Sequence, residues 1–227
     1  MILNSISIWF SEHSLTVLLT IATIFTVFWL LQFCERLKMK WYAATLLSLL
    51  HVAYGVCCVR FFASLEGSSG GMSLFGAVFF MPLGYWIGAK ISHRSLAEVF
   101  DIFAIAMIMT LFCARCNCLV SGCCLGQVIR PGSPARWPTR EIELIFYAVF
   151  LAQMIPKVIR GKTNGRVYPL FMFAYGAFRF VIEFFRVSQS ASIFHIAHLW
   201  SGVSIVIAAT LYFTIVDRMK KPKKRNG

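Results

Sequence analysis

Charge is what this 227-residue sequence has least of: 14% of its residues are charged, and only nine are acidic. A soluble domain carries roughly 25% charged residues. With 59% hydrophobic residues and a mean hydropathy of +0.73, the chain has too little polar surface to cover itself in water, which excludes a soluble globular domain. Linkers, convincing internal repeats and low-complexity stretches are also missing, apart from a basic tail. No basic segment precedes the first apolar run, Glu12 and His13 stand in front of it, and no small-x-small site follows, which argues against a cleaved signal peptide.

What is present is a series of long apolar runs. Leu15 to Phe33 holds no charged residue, and a membrane span needs about 20 apolar residues at 1.5 Å rise each. The runs predict an all-α, polytopic membrane protein with seven spans near residues 15–33, 43–63, 72–89, 99–114, 142–156, 167–186 and 196–216. They form one bundle over residues 1–219, followed by a basic tail at 220–227.

A formal net charge of +13 raises nucleic acid as a partner, but its distribution excludes that. Every lysine falls in alternate connections: Lys38, Lys40, Lys90, Lys157 and Lys162, then Lys220, Lys221, Lys223 and Lys224. Arg36, Arg94, Arg160, Arg166, Arg218 and Arg225 lie beside them. With seven spans these segments share one face, which the positive-inside rule makes cytoplasmic. The N-terminus is then outside, and the C-terminal tail anchors against anionic lipid in the cytoplasm.

The opposite face lacks lysine but carries Arg60, Arg115, Arg130, Arg136, Arg140 and Arg186, with Arg179 inside the sixth span. A guanidinium holds phosphate or carboxylate in two-point geometry and resists deprotonation. Arg179, Glu183 and Arg186 stand at i, i+4 and i+7, so a continuous helix puts all three on one face, with Tyr175 below them. Arg179 then lies roughly 10 Å below Arg186 along the axis. An arginine near mid-helix costs about 2.5–3.5 kcal/mol to insert. Two readings follow: a structural pair in which Glu183 neutralises Arg179, or an anion site, which the second arginine on the stripe favours.

Between the fourth and fifth spans runs Arg115-Cys-Asn-Cys-Leu-Val-Ser-Gly-Cys-Cys-Leu-Gly126, with Cys113 just before it. Outside the cytoplasm thiols persist as disulfides. Cys116, Cys118, Cys123 and Cys124 are open to structural bridges, a redox pair or a soft-metal site, and their spacing does not choose. No metal is assigned. His195 and His198 sit at i, i+3 without a carboxylate to complete a zinc site. His51, deep in the second span, is an intramembrane ionisable group.

These stretches resemble a known family. Tyr175-Gly-Ala-Phe-Arg179-Phe-Val-Ile-Glu183-Phe-Phe-Arg186 is similar to the sixth-span motif of prolipoprotein diacylglyceryl transferases. Ser69-Gly-Gly-Met-Ser-Leu-Phe-Gly76 resembles the family's Gly-Gly-x-Ser-x-His-Gly segment. Arg115 through Gly126 resembles its arginine–asparagine loop, and Arg136-Trp-Pro-Thr-Arg-Glu-Ile-Glu143 its Pro-x-Gln-x-Tyr-Glu element. The likeness runs from Glu66 onward. It implies transfer of diacylglycerol from phosphatidylglycerol, or another anionic phospholipid, to the cysteine thiol of a lipobox-containing prolipoprotein. The place would be the cytoplasmic (inner) membrane, with glycerol phosphate released and no cofactor needed.

By the same resemblance, Arg179 and Arg115 hold the phosphate, Glu183 orients Arg179, and Tyr175, Arg186, Gly70, Gly71, Phe75, Gly122 and His198 contact substrate. The sequence departs from the pattern at several of these. Phe75 replaces the family's histidine, Cys118 and Cys123 fall on its asparagine and glutamate, and His198 on its glutamine. A phenylalanine cannot act as a base. Either a cysteine thiolate, His195 or His198 takes part in a modified transfer, with Cys118 or Cys123 a candidate to accept the diacylglyceryl group covalently, or the protein handles a lipid without the usual acceptor. Two other functions stay open: a membrane thiol-disulfide oxidoreductase using the loop cysteines, and a non-catalytic lipid-binding relative.

Overall fold

The structure is a computed structural model describing residues 2–67, 72–132, 134–187 and 195–220, with side chains from residue 12 to residue 215 of these. Among them the chain forms seven helices: α1 (Ile2–Gln32), α2 (Trp41–Leu65), α3 (Phe75–Ile91), α4 (Leu96–Ser121), α5 (Thr139–Ile159), α6 (Val167–Glu183) and α7 (Ile196–Lys220). Most of the basic tail, residues 221–227, lies outside the described residues. Five helices are long and apolar enough to cross a bilayer, namely α1, α2, α4, α5 and α7, so this is a polytopic membrane protein. The other two, α3 and α6, have 17 residues each. At 1.5 Å per residue they reach about 25 Å, short of a hydrocarbon core of about 30 Å.

The fourth helix is longer than its hydropathy predicts. Its apolar run fades near Ala114, yet the helix continues through Arg115 and Asn117 to Ser121. Those polar side chains find partners inside the bundle, so they do not end the helix. Gly122, at φ +69°, ends it in the left-handed conformation that glycine adopts without a Cβ clash.

This helix is the centre of the molecule. It packs against α1, α2, α3, α5 and α6, and every residue from Asp101 to Ile108 is buried. A helix apolar all round belongs in the interior. Asp101 serves a specific purpose there. Its carboxylate accepts hydrogen bonds from Thr163 Oγ1 at 2.5 Å, Gly165 N at 2.6 Å and Val167 N at 3.0 Å. It thereby ties the start of α6 to α4.

The sixth and seventh helices run side by side. A Cβ on Gly176 would lie 2.9 Å from the Ser201 carbonyl oxygen, so glycine sets how closely they approach. Ser204 Oγ donates across the same seam to Met172 O at 2.9 Å, in keeping with small and hydroxyl residues joining membrane helices.

Candidate active site

The site gathers where α4 and α6 end. Arg115, on the last two turns of α4, is buried, and its Nε lies 2.7 Å from Oε1 of Glu143 on α5. Both side chains are more than nine-tenths buried. Burying an ion pair costs several kcal/mol per ion before the attraction repays it, so its presence points to a task beyond packing. The remaining face of the guanidinium turns to sulfur: Nη1 donates to Cys118 Sγ at 3.8 Å and Cys124 Sγ at 3.6 Å.

A second pair stands on α6. Arg179 Nη2 lies 2.9 Å from Glu183 Oε2, one helical turn away. Arg186 also reaches Glu183, at 3.9 Å, though not along the continuous stripe that its spacing predicts. The helix stops at Glu183, and a turn carries Arg186 N to Glu183 O at 3.2 Å. The reason is competition for the backbone. Phe185 O accepts from Gln127 N at 2.8 Å, Val187 N donates to Leu125 O at 3.1 Å, and Gln127 Nε2 donates to Arg186 O at 3.0 Å. The end of α6 is therefore joined to the segment that follows the cysteines.

Below the charges lies an aromatic floor. Tyr175 is fully buried among Phe75, Phe171 and Tyr147, at ring-centroid distances of 5.5, 5.7 and 6.3 Å. Phe75 thus packs beside Tyr175 and offers only hydrocarbon. Two buried polar atoms, Arg179 Nη1 and Tyr147 Oη, have no hydrogen-bond partner among the described residues. Each is a donor open to a water or a ligand. Glu143 and Tyr147 belong to the site although sequence reasoning did not single them out. The glutamate at the end of the Arg136–Glu143 stretch was the available signal.

A cavity of about 260 Å³ opens beside the Arg115 pair. Its body is apolar, with Leu19, Val59 and Met107 among its walls, and its polar end is formed by Arg115, Asn117, Cys118, Cys123 and Cys124. Ser14 Oγ donates to Asn117 Oδ1 at 2.7 Å, closing the gap between α1 and α4. Apolar walls meeting a cationic end suit a lipid with an anionic headgroup.

All eight cysteines are free of disulfides. The sulfurs of Cys118, Cys123 and Cys124 lie within 4.8 Å of one another, while Cys116 stays apart. A hydrogen bond with the Cys118 thiol holds the Cys124 thiol well below its ordinary range, and the Arg115 and Arg186 charges act in the same direction. Gly122 contributes its left-handed backbone, which turns Cys123 and Cys124 back toward Cys118. Gly70 and Gly71 lie outside the described residues. His198 is set apart: its Nδ1 accepts from His195 N at 3.0 Å, its ring packs on Phe180 and Phe184, and it does not line the thiol-ended cavity.

Comparison with known proteins identifies the family. The family model described as prolipoprotein diacylglyceryl transferase matches residues 13–214. The chain is 25% identical over 173 residues to a phosphatidylglycerol–prolipoprotein diacylglyceryl transferase of Dehalococcoides mccartyi strain 195, covering 70% of this chain and 66% of that protein. It is 20% identical to the protein of the same name from Clostridium tetani, covering 69% and 68%. A Salmonella arizonae protein of that name is 30% identical over 149 residues, covering 52% and 51%. The chain thus spans just under two thirds of the first of these relatives. With a match running through all seven helices, and two buried arginine–glutamate pairs on the stretches that resemble the family, the chain belongs to the prolipoprotein diacylglyceryl transferase family.

Proposed function

We propose that this protein transfers a diacylglyceryl group from phosphatidylglycerol to the cysteine thiol of a lipoprotein precursor or a related acceptor. It does so at the outer face of the cytoplasmic membrane. In this reading α3 and α6, 17 residues each and at the lower limit for a span, cross with the other five. The N-terminus is then outside, the tail at 220–227 is in the cytoplasm, and the cysteines and paired arginines lie on that outer face. The confinement of lysine to alternate connections supports this orientation.

One observation carries the reading: Arg115 and Arg179 are each buried beside their own glutamate at one end of the bundle, and Arg179 keeps a free donor. In the transfer, the acceptor sulfur attacks the glyceryl carbon and the carbon–oxygen bond to phosphate breaks. The electron pair leaves on the phosphate oxygen. Guanidinium groups fixed in a dry site stabilise that developing charge without reorganising. Glu143 and Glu183 hold the two guanidinium planes, and the cavity takes the acyl chains. A thiol oxidoreductase would leave both ion pairs without a task.

The test is incubation in phosphatidylglycerol-containing membranes with a lipobox peptide, read by peptide mass and by release of glycerol phosphate. A diacylglyceryl mass gain matched by glycerol phosphate supports the proposal. The absence of both from a folded preparation sinks it.

A further inference from the structure

The arginine sites account for the leaving group and say nothing of how the acceptor thiol loses its proton. Phe75 is hydrocarbon, and His198, whose Nδ1 accepts from His195 N, does not line the thiol-ended cavity. Three thiols stand at the polar end of the cavity instead. We infer that Cys118, Cys123 and Cys124 bind one zinc ion whose fourth position receives the acceptor thiol as thiolate. The inference rests on the transfer proposed above.

The geometry fits. The three sulfurs lie within 4.8 Å of one another, and Zn–S bonds of about 2.3 Å place tetrahedral sulfurs about 3.8 Å apart. Closing that difference takes side-chain rotation of about 1 Å. Cys118 sits on the last turn of α4, and Gly122 then reverses the chain. Cys124 is itself left-handed at φ +58°, a conformation that residues other than glycine rarely adopt. Strained backbone of this kind gathers at ligand-binding turns, and here it brings the third sulfur to the first.

Charge agrees as well. The ion-paired groups around the thiols are Arg115, Arg140, Arg179 and Arg186 against Glu141, Glu143 and Glu183, and Arg60 lines the same cavity, so positive charge is in surplus. Three thiolates around a divalent ion carry one negative charge, which offsets part of that surplus. Arg115 already donates to two of the sulfurs, the outer contact that orients metal-bound thiolates. Three protein ligands with an open fourth position mark catalytic rather than structural zinc.

The chemistry supplies what Phe75 cannot. A thiol that coordinates zinc gives its proton to water and stays anionic at neutral pH. The zinc-held sulfur attacks the glyceryl carbon, the carbon–oxygen bond breaks, and its electron pair leaves on the phosphate. The thioether formed is neutral, binds zinc weakly, and departs.

The experiment uses the full chain, purified in detergent under reducing conditions. One zinc per chain is expected, lost on Cys118→Ser, Cys123→Ser or Cys124→Ser and kept on Cys34→Ser and Cys116→Ser. Cobalt in place of zinc should give thiolate-to-metal charge-transfer absorption, which gains intensity with a lipobox peptide and not with its serine analogue. A metal-free protein, metal retained by all three variants, a Cys118–Cys124 disulfide under those reducing conditions, or a cobalt spectrum blind to the peptide thiol overturns the inference. Transfer activity separates the two proposals: metal and thiol binding without lipid transfer defeats the function, and transfer by metal-free protein defeats the zinc.

Discussion

Phe75 meets Tyr175 edge to face, their ring centroids 5.5 Å apart, at the point where the family resemblance calls for histidine. That contact makes the position a direct probe of how the acceptor is activated. In Cys123→Ser, transfer should fall to near background. Adding Phe75→His to the same chain should raise that residual rate about 10²-fold, the lower end of what a positioned base contributes. Rates measured side by side on one membrane preparation decide it, and no recovery means Phe75 does not occupy the base position.

Glu143 exists to hold Arg115, and removing it leaves a buried cation alone. Glu143→Ala should cost about 3–5 kcal/mol of stability, the penalty for breaking a buried pair from one side. Thermal unfolding in detergent should show the loss, and Arg115→Met in the same background should recover part of it. If Glu143→Ala unfolds at the wild-type temperature, the pair is not buried as described.

Arg179 is the guanidinium with a donor to spare. Arg179→Lys keeps the charge but forfeits the fork, and the turnover number should fall by about 10²–10³, as when one transition-state donor is removed. The cobalt spectrum and its response to the peptide thiol should stay as in wild type. A rate within a factor of about two of wild type would mean that charge alone suffices there.

Asp101 gathers three donors, two from the turn before α6 and one from its first residue. Asp101→Ala strands all three, at about 1–3 kcal/mol for each buried group left unsatisfied. Hydrogen exchange should rise first at Gly165 and Val167, ahead of the α4 interior. Uniform exchange across α4 and α6 would argue against a local tie.

Much of this could be read from the sequence where the signal was local. Hydropathy marked out the helices, and Arg179 with Glu183 was visible because four residues make one helical turn. What escaped was long-range or conformational. The polar residues from Arg115 to Ser121 read as loop because hydropathy does not register partners such as Glu143 and Ser14, which lie on other helices. The i+7 spacing of Arg186 promised a helical stripe, but the backbone bonds of Phe185 and Val187 ended the helix first. The convergence of Cys118 with Cys123 and Cys124 depends on two left-handed residues, and one of them, Cys124, is not glycine.

The bonds joining Phe185, Arg186 and Val187 to Leu125 and Gln127 have a kinetic consequence. Donor and acceptor lipidation chemistry requires two molecules to arrive separately and meet in one orientation. Here the segment that carries Arg186 and the segment that follows the cysteines are joined by two main-chain bonds, Gln127 N to Phe185 O and Val187 N to Leu125 O, and the Gln127 side chain adds a third. Exchanging other side chains leaves the two main-chain bonds in place, so any displacement of the end of α6 reaches the cysteine turn as well. In the proposed transfer, Arg186 and the thiols thus keep their spacing before either reactant binds.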